Sequence, residues 1–74
     1  NNHMHNLNYL DLAYEALPEE VYKNSDFNNI EIMYKKAIRL GDTSKCLYSK
    51  NGHTHNVVIR SLDSKDLHCI VNLW

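Results

Sequence analysis

Seventy-four residues, 43% of them hydrophobic and 23% charged, with a net charge of -1, describe one small domain of ordinary globular composition. A balance so near neutral gives no electrostatic footprint for nucleic acid or an anionic membrane surface. No apolar run approaches the ~18–20 residues that a membrane span needs.

A chain this short buries only roughly 60–65% of the surface its unfolded form exposes, so its stability alone is marginal and a partner is expected. The two cysteines, Cys46 and Cys69, do not make a secreted disulfide framework and read as free, partly buried thiols. With no basic-then-apolar signal segment, a cytoplasmic location is the default. The chain begins with Asn rather than Met, which reads as a cut. Either upstream sequence was removed, or Met4 is a start codon preceded by vector residues, which would make His3 artificial.

The first third, Asn1 to Tyr22, carries the main helical signal. Leu7, Leu10, Tyr14 and Leu17 have the spacing of one helical stripe, and Tyr9, Leu12, Ala13 and Ala16 widen it until only Asn8, Asp11 and Glu15 remain polar. Such a helix requires a sheet around it. Asn2 and Asn6 are both able to cap its free amides, and entry near Asn6 is expected. Pro18 ends it near Leu17 by disfavouring helical geometry at the preceding residue. Pro18-Glu19-Glu20 then suits the first turn of a second short helix reaching Lys23, before the loop Asn24-Ser25-Asp26.

From Asn29 the period changes to two. Ile30, Ile32 and Tyr34 alternate with Glu31, Met33 and Lys35, predicting a strand that continues to about Leu40. Gly41-Asp42 punctuates it, and a second strand runs from Thr43 to Lys50. Asn51-Gly52 is a strong hairpin signal, with the pair expected at the centre of a type I′ turn and the next strand running from His53 to Leu62. A polar turn, Asp63-Ser64-Lys65-Asp66, precedes a last strand from Leu67 to Trp74. Ile70 and Trp74 give that strand bulk on its second face, so it is expected to be covered on both sides or to sit at an interface. The expected fold class is α+β: one long N-terminal helix packed on a four-stranded antiparallel meander, with no internal repeat.

The entry N-x-H-x-x-N-x-x-Y, formed by Asn1, His3, Asn6 and Tyr9, resembles that of the hotdog-fold acyl-acyl-carrier-protein thioesterases. Leu17-Pro18-Glu19-Glu20 sits where that family has a helix-ending proline with acidic residues. Ile30 to Lys36 resembles its first strand after the helix, and Gly41-Asp42 its Gly-Asp turn. The likeness runs over essentially the whole chain, which is similar to the C-terminal part of a hotdog unit. The resemblance implies an incomplete unit completed by oligomerisation, as a homodimer or higher homo-oligomer. It also implies no cofactor, and a carrier protein bearing a fatty acyl-phosphopantetheine as partner.

Thioester hydrolysis requires a base to activate water or form a nucleophile, and donors to hold the carbonyl oxygen as it gains charge. The resemblance implies His3 as acid/base, Asn1 as its orienter or a contact to the substrate carbonyl, and the amides at the helix start as oxyanion donors. Asn6 caps the helix and borders the substrate, and Leu10, Ala13, Leu17 and Met33 line an acyl tunnel. Two departures weigh against full activity. The family's Asp, two residues before the position of Asn1, falls outside the chain, and the acidic residue after the Tyr-basic-basic triplet is here Ala37. Losing a positioned acid/base partner commonly costs about 10²–10⁴-fold in rate.

Other classes compete. A non-catalytic hotdog module for subunit association or acyl binding is favoured by Ala37. His53-x-His55, with His68 on a neighbouring strand, makes a zinc module a weaker alternative, because nothing fixes a fourth ligand. Cys46 lies mid-strand with no histidine placed beside it and reads as packing, as do Tyr9, Tyr14, Tyr34 and Tyr48.

Overall fold

The computed structural model describes residues 6–24, 26–39 and 41–74, with side chains from Tyr9 onward. Two helices precede four strands: α1 (Asn6–Ala16), α2 (Glu19–Asn24), β1 (Ile30–Tyr34), β2 (Ser44–Asn51), β3 (Thr54–Ser61) and β4 (Leu67–Leu73). The class is α+β, as the alternation of periods requires.

The first helix has the expected bounds to within a residue, but at 11 residues, or about three turns, it is a short helix and not the long one of the expected fold. It stops before Leu17, whose N–H reaches the Tyr14 carbonyl at 3.2 Å in a final tight turn, because Pro18 bars continuation. Its buried line is Tyr9, Ala13 and Leu17 at four-residue spacing, flanked by half-buried Leu10, Leu12, Tyr14 and Ala16. The sheet meets the centre of the apolar arc, not the Leu10–Tyr14 edge of it. In α2 the Glu19–Lys23 pair at 2.8 Å is exposed on both sides and contributes little.

The sheet is antiparallel throughout, in the order β1-β4-β3-β2. Only β2, β3 and β4 form a meander. The expected four-strand meander is corrected here, because β1 joins the far side of β4, with Ile32 opposite Val71. The chain must therefore cross the sheet between β1 and β2. β1 ends at Tyr34 instead of near Leu40. The amides of Lys35 and Lys36 both donate to the His68 carbonyl, at 2.8 and 3.2 Å, so the ladder closes there and the chain turns away. Ile38, expected in the strand, instead drops into the core, 1% exposed.

The β2–β3 register pairs Asn51 with Thr54 and leaves Gly52 and His53 as the turn. Gly52 alone takes a positive φ there, at 61°, which suits a type II′ turn one residue later than the expected Asn51-Gly52 centre. Between β3 and β4 the register shifts at Ile59/Arg60: Ile59 faces Cys69 while Arg60 faces Leu67, leaving His68 as the extra residue of a bulge.

One face of the sheet supplies the core. Val57, Ile59, Cys69, Val71 and Leu73 are fully buried there, and α1 packs on β2, β3 and β4. Each of the Val, Ile and Leu side chains among them contributes roughly 1.5–3 kcal/mol of transfer free energy. Among the described residues no helix is long and apolar enough to cross a membrane.

Candidate functional site

Asn1 and His3, the expected catalytic pair, lie outside the described residues, and Asn6 opens α1 with its side chain outside them too. Tyr9, the last residue of the entry motif, sits one helical turn inside α1 and is 3% exposed. Its hydroxyl accepts the Ile38 N–H at 2.8 Å, and its ring meets Tyr34 edge-on, with centroids 5.4 Å apart and planes at 82°. The start of α1 and the Tyr34-Lys35-Lys36-Ala37 stretch, two separate features of the sequence, are thus brought together through one side chain.

His68 completes this junction. It is 4% exposed, and its Nδ1 lies 2.9 Å from the Lys36 carbonyl oxygen. A carbonyl only accepts, so Nδ1 carries the proton. The same residue's carbonyl holds the Lys35 and Lys36 amides. Lys36 also reaches Asp66 at 3.1 Å. Segment 35–38 is therefore pinned by β4 on one side and by α1 on the other, and it presents Ala37 as an exposed methyl. His68 drew attention in the sequence only as a metal candidate, because its contact with Lys36 spans 32 positions and leaves no local signal.

The expected lining residues divide. Ala13 and Leu17 belong to the core row of α1, with Leu10 packed at its margin. Met33 does not join them: Ile32 packs on the core, so its neighbour Met33 points to the opposite face of the sheet.

His55 is buried at the opposite end of the β3–β4 ladder from His68, hydrogen-bonded through Nδ1 to the Tyr48 hydroxyl at 2.8 Å and edge-on to Phe27 at 5.4 Å. Burial first, and then the Lys50 charge, hold its pKa below the ordinary histidine value. His53 is exposed in the turn. Among the described residues, no group of three or more His, Cys, Asp or Glu side chains is placed to hold a metal ion. Burial, reinforced by Cys46, pushes the Cys69 thiol up to about 11, and burial with Glu15 raises Cys46, so neither is a ready nucleophile. Burial, then Cys69 and Tyr9, raises the Tyr34 hydroxyl.

An open cleft of about 880 Å³ lies along α1 from its middle to α2, lined by Asp11, Tyr14, Glu15, Glu19, Asp26 and Phe27 among others. Its carboxylates repel anions, and Tyr9, Tyr34 and His68 are not among its lining residues.

A short helix laid across an antiparallel sheet, with Tyr9 of that helix tied to the segment beyond the edge strand, defines a small α+β unit. A family profile described as the acyl-ACP thioesterase C-terminal domain matches residues 1–70. The chain belongs to this family. No curated protein and no solved structure matches the chain significantly.

Proposed function

We propose that the chain is a hotdog unit of an acyl-carrier-protein thioesterase, acting on fatty acyl groups carried on phosphopantetheine, with impaired hydrolysis of its own. The observation that carries this is the family match over residues 1–70, which takes in both the entry motif and Ala37. In this assignment His3 is the acid/base and Asn1 orients it. The first-turn amides of α1 hold the developing oxyanion, as helix N-termini do for anions generally. The acyl chain lies along the Leu10, Ala13 and Leu17 side of α1. Met33, on the other face of the sheet, takes no part.

Impairment follows from Ala37. A methyl group cannot take or relay a proton, and the pinned segment 35–38 offers no carboxylate in its place: Lys35, Lys36 and Ala37 are its exposed residues. The same observation favours a second reading, a non-catalytic hotdog module that binds acyl chains or joins subunits. The two separate by assay with an acyl carrier protein as substrate. The chain alone is expected to show no detectable hydrolysis of long-chain acyl thioesters; turnover abolished by His3→Ala would overturn impairment. Ala37→Glu is expected to raise turnover if the enzyme reading holds, and to leave it at background if the module reading does.

A further inference from the structure

The face of the sheet turned away from α1 is organised in three rows that the strand registers define. The middle row is apolar and crosses all four strands: Met33 opposite Ile70, Ile70 opposite Val58, Val58 opposite Leu47. None of the four belongs to the core or its packed margin, and Leu47 is 49% exposed. On one side runs a polar ladder. Ser49 Oγ donates to Asn56 Oδ1 at 3.4 Å, Asn56 Nδ2 to Asn72 Oδ1 at 2.8 Å, and Asn72 Nδ2 to the Glu31 carboxylate at 3.1 Å. On the other side lie Lys45 opposite Arg60 and, just past the end of β1 and two residues beyond Met33, Lys35, whose amide still bonds the His68 carbonyl of β4.

We propose that this outer face is the self-association surface of the chain, and that it pairs with a second copy about a two-fold axis running along the apolar row. Such an axis lays the apolar row on itself and turns each flank over. The ladder of one copy then meets the basic flank of the other. Glu31 falls opposite the second copy's Lys35, and the oxygens of Asn56 and Ser49 fall opposite its Arg60 and Lys45. A two-fold axis along the strands does the opposite, setting three cations against three. The charges therefore select one of the two ways of stacking the sheets, and Glu31 is already oriented for it by Asn72.

Size sets the strength. Four strands ~4.8 Å apart, each of about seven residues rising ~3.3 Å, cover roughly 19 by 23 Å, so two copies bury ~900 Å². That is below the ~1,200–2,000 Å² of stable complexes and implies a concentration-dependent dimer in the micromolar range or weaker. Association of this kind is independent of acyl hydrolysis.

Sedimentation velocity of the 74-residue chain from about 10 to 500 μM in low salt tests it. A monomer–dimer equilibrium is expected. Glu31→Lys and Lys35→Glu, each counted twice by symmetry, should each weaken it about tenfold, and the double exchange should restore it to within about threefold. Val58→Lys should abolish it, with far-UV circular dichroism confirming the fold; the charge exchange stands alone if that variant unfolds. A strict monomer over the whole range, or a dimer indifferent to the charge exchange, would overturn the proposal.

Discussion

The Tyr9 hydroxyl accepts the backbone N–H of Ile38 across 29 positions at 2.8 Å, in a buried setting. That bond joins the helix that holds the last residue of the entry motif to the segment that carries Ala37. Nearby, Ile38 places its side chain in the core, so the crossing chain is held at both backbone and side chain.

Tyr9→Phe removes the acceptor and leaves the Ile38 amide buried without a partner, which costs about 1–3 kcal/mol. For a domain of this size that lowers the melting temperature by several degrees, at about 4–8 °C per kcal/mol. Thermal unfolding followed by circular dichroism measures it. A variant as stable as the parent would show that the amide finds another partner.

His68→Ala deletes the ring that donates to the Lys36 carbonyl and leaves a hole beside Cys69. The expected consequence is local as well as global: amide exchange at Lys35, Lys36 and Ile38 should accelerate far more than at Val57 and Val71 in the sheet centre. Hydrogen-exchange spectroscopy distinguishes this from uniform loosening.

Acid should weaken the fold through His55. Its folded pKa is lowered from 6.5, so the unfolded chain binds the proton first as pH falls. Above 6.5 neither state is charged and the group is neutral in its effect. Below that value stability falls with pH until the lower folded pKa is passed. Urea midpoints between pH 7.5 and 5.5 should fall for the parent chain and fall less for His55→Gln, provided the variant remains folded.

The two thiols should be slow. Cys69 has its pKa pushed up to about 11, and Cys46 is raised by burial and Glu15. An aromatic disulfide reagent at pH 8 should titrate both rapidly in denaturant and react only slowly with the folded chain. Rapid native labelling of Cys69 would mean that β4 opens from α1 readily.

Much of this protein was legible from the chain itself. Helical spacing from Leu7 to Leu17 and the period of two in the strands place every element but β1 to within a residue or two at both ends, because local periodicity reports directly which side chains share a face. The family likeness was legible too, since its motif residues are short, polar and fixed in spacing, and the match over residues 1–70 bears it out. Tertiary structure alone decided that β1 pairs with β4, that Ile38 leaves the strand, and that His68 and Tyr9 clamp segment 35–38. These depend on contacts some thirty or more positions apart, where alternation says which face a residue takes but nothing about which strand lies beside it. The same distinction holds for Met33: its face was readable from the period, but only the side on which α1 packs determined that this face is the outer one.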